Sequence, residues 1–434
     1  MNNLQAISPI DGRYRKHTEP LAEFFSEFAF MKYRILMEEE FLKVFKNIKI
    51  KSLSVDFSEA DAEEIKKIEQ TTNHDLKAIE YWMKEKYKSE WIHFGLTSED
   101  ASNIAYALMV RDALEKVIVP ALDKISTALH SLSGLTTKCP MLARTHGQPA
   151  SPTTFGKEMA VFTARLARQV GQLRQFKLLA KLNGATGNYN ALVVAYPDID
   201  WIAFSEKFIT DIGLEPNLLT TQIESHDNLA ELFDLMRRIN TILINLDQDM
   251  WRYISDGWLK QKAVDGEIGS STMPHKINPI YFENSEGNLG LANALFSHFS
   301  QKLPISRLQR DLSDSTVMRS IGSAFAYAMI GYKSLQQGLE RIDVDADAMH
   351  DALDAHPEVL AEAIQTILRR EGVEFPYEKL KELTRGKKLT LEDLRDFIKN
   401  LKISDEVKKD LLALTPSGYL GLSLKLSQLP DRAD

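Results

Sequence analysis

The chain has 434 residues, 44% hydrophobic and 26% charged, so it can bury a sizeable core, and its length suggests two or three domains. A formal net charge of -8 leaves no global electrostatic reason to bind nucleic acid or an anionic membrane; an anionic ligand must be met by positive charge gathered locally. The lone cysteine, Cys139, excludes an intrachain disulfide and a thiolate zinc cage, which suits a reducing cytoplasm, and no apolar run approaches the length of a membrane span.

The opening stretch MNNLQAISPIDGRY has neither the basic flank nor the apolar core of a secretory leader. Residues 1–97 read as shorter helices joined by loops. A long helix is expected from about Glu99 to Leu132, with Pro120 kinking it. Another follows SPTTFG, capped by Thr153 or Thr154, with Met159, Phe162, Leu166, Leu173 and Phe176 as its apolar stripe. The clearest runs from about Asn228 to Tyr253. There Leu229, Leu232, Met236, Ile239, Leu243, Leu246, Met250 and Tyr253 recur at spacings of three and four, an a/d seam. Further helices are expected from Phe282 towards Phe299 and from Val317 to Ile342. Strand-like alternation is scarce. The fold class is therefore all-α, with a bundle of long helices over 98–342 between an N-terminal helical domain, 1–97, and a charge-dense C-terminal one, 343–434, where Thr390 and Ser404 serve as caps. Seams this long call for partners, so a homo-oligomer is the default expectation.

Chemistry is sought in the polar loops that interrupt the helices. TTNHDLKAIEYW, Thr71 to Trp82, offers Thr72 or Asn73 as a cap before an apolar face of Leu76, Ile79, Trp82 and Met83. That puts His74 in the first turn, where exposed backbone N–H groups favour anions; on pattern alone an ordinary capped helix explains it better. ARTHGQPASPTTFGKE, Ala143 to Glu158, holds His146 just before a helix start. Histidine suits proton transfer near neutral pH, although a loop histidine taken by itself is more often structural. TTQIESHDNLAELFD, Thr220 to Asp234, puts Gln222 before the long helix, where a plain capping region would do. RLQRDLSDSTVMRS, Arg307 to Ser320, supplies three arginines that either grip phosphate or carboxylate through forked donors or lie on a solvated face.

The most irregular stretch is GEIGSSTMPHKINP, Gly266 to Pro279. Its prolines forbid helix and its glycines suggest mobility. A lysine near Ser270 and Ser271 can favour a hydroxyl's anion, but the S-x-x-K spacing of a Ser-Lys hydrolase is absent; a helix-breaking loop is the plainer reading. No histidine pair has metal-ligand spacing. NGATGN, Asn183 to Asn188, is no phosphate loop, since it follows a helix rather than a strand.

GSSTMPHKINP resembles the G-S-S-x-M-P-x-K-x-N signature of the fumarase/aspartase superfamily. With RTHGQPA, TTNHD, TSED and SPIDGRY, the chain is similar from Ser8 to PYEKLKELTRGKK to the adenylosuccinate-cleaving branch, in its longer bacterial form. The resemblance implies a three-domain, mostly helical fold whose long helices assemble from four subunits, with active sites that draw on three subunits each. It implies β-elimination of fumarate from adenylosuccinate, giving AMP, and from SAICAR, giving AICAR, with no cofactor and no metal. Ser270 then resembles the general base and His146 the general acid. His74 resembles a second histidine that touches substrate. Lys276 and Asn278 resemble carboxylate binders, and Arg13 and Tyr14 the phosphate and ribose end. Asn73, Asp75, Thr97, Ser98, Gln222, Arg310, Ser315 and Arg319 resemble further contacts. The chemistry is consistent with this set: a weak carbon acid needs donors and a cation for its developing dianion, and a leaving nitrogen needs a proton donor. Two other readings stand beside it: another fumarate-releasing lyase such as an argininosuccinate lyase or an aspartase-like enzyme, and a helical scaffold that binds anions without catalysis.

Overall fold

The computed structural model describes residues 3–44, 51–263, 266, 272–273, 275–384 and 389–429. They form two compact units, each assembled from three stretches of chain: Met1–Asp123, Gln169–Ile244 and Asn284–Ser334 in the first, and Lys124–Arg168, Asn245–Glu283 and Leu335–Asp434 in the second. Helices dominate both.

The expected long helices form, with instructive differences. The heptad-like seam becomes a helix over Asp227–Ser255, and Leu232, Met236, Ile239, Leu243, Leu246 and Met250 are all fully buried. The stretch expected to kink at Pro120 is a helix over Ser98–Ala113, a π turn over Leu114–Ile118, and a second helix over Val119–Leu135. Proline has no N–H to give the preceding turn, and the chain absorbs this by widening one turn, Val119 N–H bonding back to Leu114 O. The helix expected over Val317–Ile342 is instead two, Ser313–Met318 and Ile321–Glu340. Between them a tight turn, in which Ser320 N–H bonds Val317 O at 2.9 Å, carries Arg319.

In the first unit, the Glu27–Leu42 helix packs along Ser98–Ala113, with the Phe30 and Tyr106 rings 4.3 Å apart. Phe233, Phe296 and Phe325 form an aromatic core, their centroids 5.2 to 6.4 Å apart. Phe25 stacks on Phe325 at 5.1 Å, an approach that needs a glycine beneath it, since a Cβ on Gly322 would lie 2.5 Å from Phe25 Cβ. A polar link crosses this core: Tyr332 Oη donates to Asn240 Oδ1 at 2.6 Å, and Asn240 Nδ2 donates to Asn293 Oδ1 at 3.0 Å. Such satisfied buried links help specify one packing arrangement.

The second unit holds a feature that period-counting missed. Pro140–Thr145 and Gln148–Thr154 form an antiparallel hairpin, with an irregularity between Met141 and Ala143. Its loop is two residues, His146 and Gly147, with φ of 53° and 74°. A two-residue loop with both φ positive matches the twist of a hairpin. Helix Phe155–Gln175 follows, and of the two threonines Thr154 caps it, its Oγ1 accepting Lys157 N–H at 3.2 Å. Leu259–Gln261 pairs with Ile342–Val344. The C-terminal helices close over Leu360, Ile364, Leu368, Leu394, Ile398 and Leu411, and Thr390 and Ser404 cap theirs as expected. Among the described residues, no helix is long and apolar enough to cross a membrane.

Candidate functional site

The Asp75–Tyr87 helix begins one residue later than expected. His74 is itself the cap, in extended backbone, with ring Nδ1 accepting Lys77 N–H at 3.2 Å. In the neutral ring the proton therefore sits on Nε2. Asn73 closes the preceding helix, Glu59–Thr72, in the left-handed conformation. This short joint lies at the rim of a cleft of about 330 Å³ in the first unit, which is also lined by Ser98, Arg310, Ser315 and Arg319. Seven expected site residues thus share one cavity: Asn73, His74, Asp75, Ser98, Arg310, Ser315 and Arg319. Gln222 joins them through Arg310, whose Nη1 donates to Gln222 Oε1 at 2.9 Å. Thr97 is the cap preceding Ser98, and its N–H donates to Asp100 Oδ2 at 2.8 Å.

The wall of the cleft is built on arginine. Asp75 Oδ2 accepts Arg34 Nη1 at 2.9 Å and Arg319 Nη2 at 2.8 Å, while Oδ1 accepts Leu76 N–H at 2.8 Å. Burial pushes this carboxyl's pKa up, but the two guanidinium groups and the backbone donor outweigh it and hold it well below the usual carboxylate range. Arg34 is buried against the Phe30 ring, 3.6 Å from its centroid, and also bonds Ser102 Oγ at 2.9 Å.

The floor is acidic and buried. Glu99 lies 3.5 Å from Arg310 Nη2. Its surroundings exclude water, and this burial, only partly opposed by Arg310 and His226, raises its pKa to about 7. His226 Nε2 lies 3.4 Å from Asp314 Oδ2. Glu99, His226 and Asp314 have ligand atoms within 4.8 Å of one another, the donor types a divalent metal would use. Beneath Glu99, the fully buried pair Lys181–Asp100 closes at 2.9 Å, and Asp100 also accepts Asn183 N–H at 3.1 Å. That pair pins the helix start carrying Ser98 to the Asn183–Asn188 loop. The loop follows the two-residue strand Leu179–Ala180, parallel to Glu215–Pro216, and not a helix as its sequence suggested.

Other expected residues lie elsewhere. In the first unit, Tyr14 Oη donates to Asn284 Oδ1 at 2.9 Å and Arg13 sits 5.9 Å from the Tyr14 ring; neither lines the cleft. His146 belongs to the second unit, exposed at the hairpin tip rather than just ahead of a helix. Lys276 and Asn278 are also in that unit, where Gln261 Nε2 donates to the neighbouring Ile277 O at 2.7 Å. Ser270 lies outside the described residues, as do the rest of 267–271 and residue 274 of the same stretch. Arg34, Glu99, Tyr106, His226 and Asp314 line the cleft without having been singled out. For Arg34 a signal existed: Phe30, Arg34, Met37 and Phe41 follow helical spacing, so the arginine interrupts an apolar stripe.

Comparison with known proteins gives a consistent result. A family model described as lyase matches residues 12–293, and one described as adenylosuccinate lyase C-terminal matches residues 306–420. Adenylosuccinate lyase of Vibrio cholerae is 50% identical, covering 98% of this chain and 99% of its own. That of Escherichia coli is 48% identical, with 98% coverage of both, and that of Dictyostelium discoideum is 50% identical, with 97% coverage of both. Among solved structures, a fumarate lyase from a Mesorhizobium species aligns with a TM-score of 0.77 at 19% identity, over 94% of this chain and 96% of that one. The 3-carboxy-cis,cis-muconate lactonizing enzyme of Pseudomonas putida aligns with a TM-score of 0.74 at 21% identity, over 94% and 95%. These two carry the fold alone, a helical-bundle fold of the kind expected.

Proposed function

The chain belongs to the adenylosuccinate lyases of the fumarase/aspartase superfamily, and on that premise we propose how its residues divide the work. It is a carbon–nitrogen lyase that releases fumarate from adenylosuccinate and leaves AMP. The observation that best supports a substrate site in the first unit is the cleft wall. An acidic chain has gathered Arg34, Arg310 and Arg319 around one cavity with His74, Ser98 and Ser315, which suits a ligand bearing two carboxylates and a phosphate.

In the proposed reaction, Ser270 takes the proton from the succinyl carbon next to the carbon that bears nitrogen. The electron pair left behind delocalises into the adjoining carboxylate, whose charge Lys276, Asn278 and nearby N–H groups stabilise. The pair then forms the double bond of fumarate as the C–N bond breaks, and His146 protonates the departing purine nitrogen. An exposed ring at the tip of a rigid hairpin supports this role, because it is offered outward rather than spent on the fold. Asn73, His74, Asp75, Thr97, Ser98, Gln222, Arg310, Ser315 and Arg319 are proposed to bind or orient substrate, with Arg13 and Tyr14 at its phosphate and ribose end. SAICAR is proposed as a second substrate, cleaved to AICAR by the same steps.

The working form is proposed to be a homotetramer in the cytoplasm, with each site drawing on more than one subunit. Its support is the apolar surface that one chain leaves uncovered, including Leu291, Ile305, Leu308 and Leu312. Three domains, 1–97, 98–342 and 343–434, remain the proposed division.

Turnover of adenylosuccinate by the purified protein, followed by the purine absorbance change, tests the activity. Turnover of argininosuccinate and not of adenylosuccinate would move the chain to another branch of the superfamily. Normal turnover in a Ser270→Ala variant would remove that residue from the base role.

A further inference from the structure

The floor of the cleft contains a residue that the proposed reaction leaves unused. His226 has a left-handed backbone, φ 63°, a strained conformation for a side chain with a Cβ, which persists only where its surroundings enforce it. Its ring is buried, 3% exposed, between two carboxylates. Nε2 lies 3.4 Å from Asp314 Oδ2, and Nδ1 lies 3.8 Å from Glu224 Oε2. The Glu224 carboxylate also accepts the His226 backbone N–H at 2.7 Å, and Asp314 Oδ1 accepts the Ser315 N–H at 2.6 Å.

We propose that His226 is a positioning residue of the substrate cleft: its imidazolium ties the turn before the Asp227–Ser255 helix to the segment bearing Arg310 and Ser315, and so holds those two groups where an anionic substrate needs them. The proposal rests on the cleft being the substrate site. A second tie runs in parallel, since Gln222, four residues before His226, accepts from Arg310 and donates to Ala185 O at 2.9 Å.

Charge balance requires the cationic ring. Glu224 faces His226 from its own turn, Asp314 from the Ser313–Met318 helix, and Glu99 from the start of the Ser98–Ala113 helix. Arg310 lies against Glu99. A neutral ring would leave Glu224 and Asp314 as buried carboxylates with too little positive charge beside them, a costly arrangement. Burial lowers the His226 pKa, but the Asp314 hydrogen bond and the charges of Glu224, Glu99 and Asp314 outweigh it, and the ring keeps its proton above the ordinary histidine range. Arg310 supplies positive charge at Glu99, and the ring supplies it at Asp314 and Glu224.

Steady-state kinetics of the full chain on adenylosuccinate, from about pH 6 to about pH 9, test this. His226→Gln retains a donor toward Asp314 but carries no charge. Its KM rises about tenfold, roughly the worth of one charge-assisted hydrogen bond, while kcat stays within about threefold. The deficit is largest at the acid end, where the wild-type ring is charged, and shrinks as that ring loses its proton. Asp314→Asn keeps the ring in place but removes its main acidic partner, so its KM penalty grows with pH. A purely structural role would lower the melting temperature without this pH-dependent split. If His226→Gln fails to fold by circular dichroism, Asp314→Asn decides by the same criterion. KM values within twofold of wild type at every pH, or a loss confined to kcat, overturn the proposal. A wild-type chain that leaves adenylosuccinate untouched overturns instead the reading of the cleft.

Discussion

Asp75 and Arg319, 244 residues apart in the chain, meet at one wall of the cleft with Nη2 2.8 Å from Oδ2. The same oxygen accepts Arg34. One carboxylate thus holds side by side two guanidinium groups that would otherwise repel each other, and their remaining donors stay available to an anion. Asp75 orients the anion site more directly than it could serve as an acceptor for substrate.

Replacing Asp75 with Asn should therefore raise KM for adenylosuccinate by about tenfold or more, because both arginines lose their common anchor. The same change should alter acid stability. The folded-state pKa of Asp75 is depressed, so its contribution is present above the ordinary carboxylate pKa of about 4 and is lost as pH falls through the lower folded value. Urea midpoints measured from neutral pH downward should fall less steeply in Asp75→Asn than in wild type. Parallel curves would mean that Asp75 is not tied to the two arginines in solution.

Glu99 gives the opposite pH signature. Its carboxyl is raised to about 7, burial being the largest cause. Raised above its unfolded value, it contributes stability below about pH 4 that fades as pH rises through about 7. As it ionises it also competes with substrate for Arg310, 3.5 Å away, so wild-type KM should rise above neutrality. Glu99→Gln should remove that inflection while keeping KM near the wild-type acid-limb value. An inflection unchanged in the variant would assign it to another group.

The sequence conveyed the helices better than it conveyed the site. The Asp227–Ser255 seam was legible because a single face stays buried through many turns, and periodicity reports that directly. The hairpin before Phe155 was not legible: QPASPTT contains two prolines and alternates poorly, so strand pairing over Pro140–Thr154 arises from tertiary context. Asn73, His74 and Asp75 were found as a motif, but the cap role of His74 was not, since histidine is an uncommon capping residue. His226 and Asp314 are 88 residues apart, and no local pattern announces a pair that exists only once the fold brings it together.

The loop Asn183–Asn188 supports the site from behind, and Gly187 is its tight point. With φ 80°, it lies so close to Thr220 that an added Cβ would overlap the Thr220 carbonyl and stand 2.9 Å from Thr221 O. Gly187→Ala should cost about 1–3 kcal/mol of stability from backbone strain and overlap. It should also push the Thr220–Gln222 segment away from Arg310, so KM rises with it. Thermal melts and kinetics on the same preparation check both, and a variant as stable as wild type would show that this loop is not held as described.

The hairpin tip permits a clean test of the proposed acid. A His→Ala exchange at residue 146 removes the ring but leaves alanine at φ 53°, where it gains nothing from its side chain. Asn suits the position better. Asparagine tolerates the left-handed conformation, and Asn-Gly is the favoured pair for a two-residue hairpin loop with both φ positive. His146→Asn should therefore keep or slightly raise the melting temperature, since Gly147 already follows at φ 74°. Asparagine cannot donate a proton to a departing nitrogen as an imidazolium can, so kcat should fall by about 10² to 10⁴ while KM changes little. The combination matters: a stable hairpin with lost turnover isolates the chemistry from the fold. If His146→Asn turns over adenylosuccinate at close to the wild-type rate, the proton must come from another group, and His74, whose Nδ1 is occupied by Lys77 N–H and whose Nε2 can carry a proton, becomes the next residue to replace.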